Sequence, residues 1–416
     1  MKIAIIGTGI SGLSASYLLN RSHDITVYEK NDYIGGHSRT IHISVDGKSI
    51  PVDTGFIVYN KRNYPLLVRL FDALRVPVLK SDMSFGVSIK KGWLEYGSKN
   101  MLSQLTNLFR PKFWGMILDI IKFNNSAYKN PESYEGKNLG EYLDFLNLGD
   151  WFRHYYLQAM GAAIWSCPVE TILLFPAKSF VTFFKNHGLL TVNDHPQWYT
   201  VEGGSREYVS RLSESFKDKI KFNCPVQSVF RKDGKVYVSD KLNNVLEYDH
   251  VIFACHADEA LKMIDDKSND EQDILGVFQY QSNRVVVHTD TNFMPKRRGA
   301  WASWVYLSED SIDKKPVVSL SYWMNNLQKL QTETPVIVTL NPGIEPNQSK
   351  ILDEHYFMHP IFTNKTYMAQ EKIDSIQGIN QYWFCGAYQR YGFHEDGLLS
   401  AVNMVKKMGV DVSWTI

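Results

Sequence analysis

The chain has 416 residues, of which 44% are hydrophobic and 21% charged, and its formal net charge is +1. This composition fits a folded enzyme of about two or three domains and excludes a disordered chain. With no excess of either charge there is no general field to draw nucleic acid, so a small-molecule partner is expected.

The first predicted element is a strand, Ile3, Ala4, Ile5 and Ile6, short and apolar as for a parallel strand buried on both faces. It runs into Gly7-Thr8-Gly9-Ile10-Ser11-Gly12. Gly7 lets the chain turn, Gly9 lets backbone approach a pyrophosphate, and Gly12 lets the following helix pack on the strand. Unpaired amides and the positive helix end favour an anion there by about 0.3–1 kcal/mol. Leu13, Tyr17 and Leu18 give that helix an apolar face. A second strand, Asp24 to Tyr28, ends at Glu29, 29 − 12 = 17 residues beyond the third glycine. A carboxylate there accepts ribose hydroxyls and disfavours a 2′-phosphate, so an adenine dinucleotide other than NADP is expected. Because this fold begins at residue 2, no signal peptide is expected.

Six residues after Glu29 comes Gly35-Gly36-His37-Ser38-Arg39-Thr40, then an expected hairpin and Val52-Asp53-Thr54-Gly55-Phe56. Residues 76–204 read as helical, with Leu102, Leu105, Leu108 and Phe109 on one stripe. The run Phe113 to Ile121, flanked by Arg110, Lys112 and Lys122, is the most apolar helix candidate, yet no run reaches the ~18 apolar residues of a membrane span. It reads either as a core helix or as an interfacial helix whose basic flanks suit anionic headgroups. Asp194 to Trp198 and Val201 to Ser205 mark a turn and a return loop. Next, Lys221 to Val229 and Val236 to Val238 form an expected hairpin around Asp233-Gly234, followed by a buried strand from Tyr248 to Cys255. Residues 267–371 alternate in runs such as Arg284 to His288 and Pro316 to Trp323, which predicts a mixed or antiparallel sheet, and Asp290 is expected to cap a turn. Last come a strand from Tyr382 to Ala387 and a helix opened by Tyr391-Gly392-Phe393-His394-Glu395-Asp396-Gly397-Leu398. The four cysteines, Cys167, Cys224, Cys255 and Cys385, form no C-x-x-C pair. They read as reduced thiols of a cytoplasmic protein, with no metal site expected.

The glycine turn, ribose Glu, second glycine pair and C-terminal glycine-helix segment together resemble the flavin-containing amine oxidase superfamily, which includes phytoene desaturases. Within it, Asp53 to Asn60, Phe183 to Gly188 and Tyr391 to Gly397 resemble a bacterial subfamily of amine-oxidase-like flavoproteins, several of which are associated with enzymes of unusual fatty acids. The resemblance implies an α/β fold: a discontinuous Rossmann-type FAD-binding domain (1–75, 205–266 and 372–411) and an inserted α+β substrate domain (76–204 and 267–371) with a mixed sheet. It implies FAD contacts at Gly7, Gly9, Ile10, Ser11, Gly12, Glu29, Lys30, Gly36, His37, Ser38, Thr54, Gly55, Phe56, Val226, Gly386, Gly397 and Leu398. Two positions depart from the family pattern. His37 stands where Arg is usual, with Arg39 two residues on, so His37 or Ser38 would meet the diphosphate. Ala387 replaces the usual acidic residue, leaving the ribityl contact to backbone, Glu395 or Asp396. A covalent flavin link at Cys385 is less expected than a packed thiol.

Trp165, Phe183, His187, Trp301, Trp304, Tyr306 and Trp323 are the expected lining of a substrate cavity, and His187 and His394 are the titratable candidates for catalysis. The expected function is an FAD-dependent oxidoreductase moving a hydride between substrate and flavin N5, which needs position and exclusion of water more than side-chain chemistry. The absence of an acidic cluster in the middle segments and the aromatic lining favour an apolar substrate over a cationic polyamine, and the subfamily resemblance implies a fatty acyl one. The alternatives are oxidation of an amine C–N bond and a redox-neutral isomerisation. The protein is expected to be cytoplasmic; the helix at Phe113 is expected first as a core helix, with peripheral membrane contact as its alternative reading.

Overall fold

The computed structural model describes residues 1–165, 169–186, 188–190, 196–309 and 317–412. Five parallel strands form one sheet, in the order Ile220–Lys221, Asp24–Tyr28, Lys2–Ile6, His250–Phe253 and Tyr382–Phe384. Alternate residues point to opposite faces, and both faces are covered. Ile3, Ile5, Ile25, Val27 and Ile252 pack with Leu13 and Leu18 of the helix Ile10–Leu19 and with Leu398, Val402 and Val405 of the C-terminal helix His394–Lys407. Ala4, Ile6, Val251, Phe253 and Phe384 pack the other way, against Val229, Val236 and Val238. Each such aliphatic side chain contributes about 1.5–3 kcal/mol by leaving water.

That second layer is a three-stranded antiparallel sheet of Val226–Lys232, Lys235–Asp240 and Val245–Tyr248. Asp233 and Gly234, both with positive φ (51° and 73°), make its first turn. Tyr248 therefore ends this sheet, and the parallel strand expected from Tyr248 starts only at His250. The chain had to turn between them, since the two strands belong to different layers.

A seven-stranded mixed sheet stands apart, in the order Ile351–Ile361, Gln279–His288, Ile337–Leu340, Val317–Trp323, Trp304–Glu309, Phe85–Ile89 and Leu94–Gly97. All its pairs are antiparallel except Trp304–Glu309 with Phe85–Ile89. Its last two strands, and Val78–Ser81, which pairs with Trp198–Val201, correct the helical reading of residues 76–100. Apolar and polar residues alternate in Phe85–Ile89 and Leu94–Gly97, and the sheet edge recruits them. Helices then cover that end of the sheet: Phe113, Met116, Phe123, Phe152, Phe180 and Phe184 pack on Val87, Ile89 and Tyr96. At the other end the hairpin Thr40–Val45 and Lys48–Asp53 packs Ile43, Ile50 and Val52 against Val285, Val287 and Val338.

The expected stripe of Leu102, Leu105, Leu108 and Phe109 does not enter a core. Leu105–Phe109 is a single 3₁₀ turn, and Leu105 and Phe109 are 70% and 86% exposed. Helical spacing there was apparent only, because Pro111 starts a separate helix, Pro111–Lys129. No helix among the described residues is long and apolar enough to cross a membrane.

Candidate functional site

A cavity of about 1640 Å³ runs from the C-terminal ends of the parallel strands to the underside of the mixed sheet. Single small-molecule pockets are typically ~300–1,000 Å³, so this one has room for a dinucleotide and a second ligand. Ile6, Gly7, Thr8, Gly9, Ile10, Ser11 and Glu29 form one end of its wall.

The three glycines of the turn do different things. At Gly7, which has φ +105°, a Cβ would lie 2.7 Å from the Ala254 carbonyl oxygen, and at Gly12 it would lie 1.9 Å from that of Gly7. Both are locked by neighbouring backbone. A Cβ at Gly9 would meet nothing within 4 Å and would enter the cavity, just before the helix whose free amides face an anion site. Gly36 (φ +57°) lies against Gly9, its Cβ position being 3.2 Å from the Gly9 Cα. The second glycine pair thereby forms the opposite wall of the same cradle.

Glu29 is buried and held at the strand end. Thr8 donates to it through both its amide (3.2 Å) and its hydroxyl, and the Asn31 amide donates at 2.8 Å. A carboxylate has about four lone-pair sites, so it can still accept ribose hydroxyls. Lys30, Val226, Cys224 and Pro225 line the same end, and Lys30 pairs with Glu259 at 2.7 Å. Thr54, Gly55, Phe56, His37, Gly386 and Ala387 continue the wall. The Phe56 amide donates to the His37 carbonyl at 2.8 Å, which fixes the 53–56 segment beside the glycine pair.

Four expected contacts are off this wall. Gly12 is packed as described; Gly397 packs against Ile10 and Ser11, whose hydroxyl donates to the Gly397 carbonyl at 2.9 Å; Leu398 is in the core. Ser38 is turned to Tyr208 and His394, with 2.8 Å to the His394 Nε2. Arg39 is also directed away, forked onto Asp353 at 2.7 and 3.2 Å.

The C-terminal helix begins at His394, within the expected opening segment. Neither acidic residue reaches the cavity. Asp396 accepts from the Phe393 amide at 2.9 Å and caps its own helix, while Glu395 accepts from the Leu66 and Leu67 amides (2.8 and 3.0 Å) and caps the helix Pro65–Leu74. Burial pushes the Glu395 carboxyl up to about 7 and that of Asp396 up to about 6. Glu395 thus ties two distant helices together.

His394 does line the cavity. Its ring stacks on Phe56 (3.8 Å between centroids) and its Nε2 is shared between Ser38 and Tyr208, 2.9 Å away. Burial holds the imidazole down at about 3, so it is neutral at pH 7. His187 lies outside the described residues, as does the Trp165 side chain. Of the expected lining, Phe183 and Trp304 are on the wall. Trp301 and Trp323 instead form a T-shaped pair, 5.2 Å apart, beneath Arg298, and Tyr306 joins the helical core. Being aromatic marks a residue for burial but not for which side of the sheet it faces.

The inner arm is built by Ile117, Ile120, Tyr156, Met160, Ile164 and Leu189, which no motif marks. Equally unmarked are Tyr280, Phe357 and His359, brought to the dinucleotide end because Gln279–His288 pairs with Ile351–Ile361, and His256, which follows the parallel strand His250–Phe253. Cys385 is fully buried, off the cavity, and its thiol is pushed well up by burial. Asp290 caps a 3₁₀ turn through the Asn292 amide at 3.4 Å.

An open Gly9 cradle, a buried ribose carboxylate and the size of the cavity suit FAD. The sequence matches the family described as flavin containing amine oxidoreductase over residues 10–339. Comparison with curated proteins finds no match. Among solved structures, a CLA-producing fatty acid isomerase from P. acnes is similar at 16% identity, covering 98% of each chain with a TM-score of 0.70. Cyclohexylamine oxidase from Brevibacterium oxydans is similar at 14% identity, covering 98% of this chain and 99% of that one, TM-score 0.68. A reduced UDP-galactopyranose mutase is similar at 16%, covering 100% and 97%, TM-score 0.67. At these identities the likeness is one of fold.

Proposed function

Since this chain belongs to the flavin-containing amine oxidoreductase family and is an FAD-dependent oxidoreductase, we propose that it transfers a hydride between FAD and an apolar, fatty acyl substrate. The observation carrying this reading is the chemistry of the cavity wall. The inner arm is aliphatic and aromatic apart from Asn124, and the carboxylates lining the described cavity already have partners. Glu29 is held by Thr8 and Asn31, Glu259 pairs with Lys30, and Asp82 pairs with Lys99 while accepting from Ser84 and Ser303. A cationic amine would find no unpaired carboxylate on the described wall, whereas an acyl chain would shed water along the whole arm.

Bound FAD would supply the hydride acceptor or donor. The chain's own part is to hold it at Gly9, Gly36 and Glu29, to exclude water, and to place the substrate carbon. His394, neutral and held on its Nε2 by Ser38 and Tyr208, is assigned to shaping the wall beside Phe56. His187 keeps its assignment as a candidate acid or base. The segments 1–75, 205–266 and 372–411 are assigned to the FAD-binding domain and 76–204 and 267–371 to the substrate domain.

Peripheral membrane contact of a cytoplasmic protein belongs to the same reading. The helix Pro111–Lys129 buries Phe113, Met116 and Phe123, turns Ile117, Ile120 and Asn124 to the cavity, and exposes Trp114, Leu118 and Ile121, the last at the cavity's edge. Exposed Leu105 and Phe109 precede it, and Lys112 and Lys122 lie on the helix either side of the exposed apolar residues. Apolar side chains framed by lysine suit an anionic lipid surface, and the helix joins that surface to the cavity. Arg110 is engaged elsewhere, donating to the Trp93 carbonyl at 2.6 Å.

A redox-neutral isomerisation is the second reading, favoured by the likeness to a fatty acid isomerase. Comparing the acyl lipids of cells with and without the protein tests the substrate class. A change in acyl unsaturation supports it, and unchanged lipids with altered amines would overturn it.

A further inference from the structure

Three imidazoles meet on the cavity wall at the dinucleotide end. His37 follows Gly36, which stands against Gly9 at the head of the first helix. Its ring stacks on Phe357 (4.7 Å, interplanar angle 26°), with His359 at 5.2 Å and His256 at 6.2 Å between centroids. His256 in turn stacks on Tyr280 at 4.3 Å, and the Asn283 side-chain amide meets His359 Nδ1 at 2.6 Å. These rings come from separate segments and converge where the phosphates of a dinucleotide would lie.

FAD brings a negative charge on each phosphate, yet the cations on this wall are already paired. Lys30 is bound to Glu259, Lys262 to Asp258 at 3.1 Å, and Lys99 to Asp82 at the far end. Helix amides alone would face that charge at the cradle. We propose that FAD binding is coupled to proton uptake by the His37–His256–His359 cluster, with His37 becoming the cationic partner of the diphosphate. This rests on the assignment of FAD to the cavity and adds how the chain balances its charge.

Without the cofactor, burial and then the neighbouring imidazoles of His359, His256 and His394 hold His37 well below its usual value. A hydrogen bond to the backbone of Met358 opposes them. Burial likewise holds His359 down at about 4 and lowers His256, which Glu259 and Asp258 raise in part and Lys30 lowers further. A phosphate placed among them reverses the balance, because an opposite charge favours the protonated ring. Protons are then taken from solvent wherever the pH lies between the free and bound values. By linkage, FAD binding weakens as pH rises through the bound value, up to about tenfold per pH unit for one proton.

Calorimetric titration of apo-protein with FAD at pH 7, in two buffers of different ionisation enthalpy, reads this directly. The expected result is uptake of about one proton per FAD. His37→Asn should remove most of that uptake and raise Kd by about tenfold. His37→Arg, with a fixed charge, should bind FAD without proton uptake and with an affinity that varies little with pH. FAD binding with no proton uptake in the native protein, or uptake unchanged in His37→Asn, would overturn the proposal and leave the FAD site standing. No binding of FAD at any pH would overturn both.

Discussion

Gly9 and Gly12 lie three residues apart and should fail in opposite ways. A side chain at Gly9 has open cavity before it and an ordinary φ of −66°, so Gly9→Val should fold with little change in Tm while losing FAD affinity by about tenfold or more. Gly12→Ala would drive a methyl into the Gly7 carbonyl and should cost roughly 2–4 kcal/mol of apo-protein stability. Thermal unfolding of the apo forms and FAD titration separate the two, and equal Tm losses would contradict the account. The turn's identity was legible in the sequence because each glycine answers a local steric demand. Partners far along the chain were not, as with Arg39, whose Asp353 comes from the edge strand of another sheet. The same holds for Glu395, legible as an acidic residue near a helix start but not as the cap of Pro65–Leu74. Glu395→Ala should cost about 1–2 kcal/mol, since it leaves two amides without their acceptor.

The helix Pro111–Lys129 packs as a core helix on one side, and its exposed side is the face proposed for lipid contact. One face is core and another is exposed, and between them Ile117 and Ile120 look into the cavity. Periodicity revealed its amphipathic character but could not say that a third stripe would meet a ligand site, because that depends on the mixed sheet beneath it. Leu118 and Ile121 are 67% and 51% exposed, so Leu118→Glu and Ile121→Glu should leave Tm nearly unchanged. Each should lower binding to anionic vesicles by roughly tenfold in a sedimentation assay. Equal vesicle binding by native and double-substituted protein would remove the membrane contact from the account. The strands at Phe85–Ile89 and Leu94–Gly97 were misread as helix for a related reason. Short apolar runs are ambiguous until a sheet edge claims them.

Across the whole molecule, burial of titratable groups, at the cavity and away from it, sets how stability depends on pH. Histidines 37, 256, 288, 359 and 394 are all held below their usual value, so the unfolded chain binds protons more readily than the folded one as pH falls from about 6.5. Their contribution is present above that value and is lost on acidification. Asp53, Glu395 and Asp396, raised by burial to about 6, 7 and 6, act in the opposite sense: their contribution is present below about pH 4 and is lost as pH rises through those values. The histidines outnumber them, and each proton is worth up to about 1.4 kcal/mol per pH unit. The apo-protein should therefore have a lower Tm at pH 5 than at pH 7, and a higher one would contradict this balance. At this scale the parallel sheet, its second layer and the presence of a mixed sheet were legible from strand patterning and the family resemblance. A cavity under the mixed sheet was legible too, with Phe183 and Trp304 on its wall, whereas Tyr280, Phe357 and His359 were not, because they reach it through the register of Gln279–His288 on Ile351–Ile361. The central claim is a hydride transfer between FAD and an apolar acyl substrate, and the flavin absorbance of FAD-loaded protein mixed with substrate in the absence of oxygen tests it most directly. The account predicts bleaching by a fatty acyl substrate and none by putrescine or cyclohexylamine; rapid bleaching by the amines alone would contradict it.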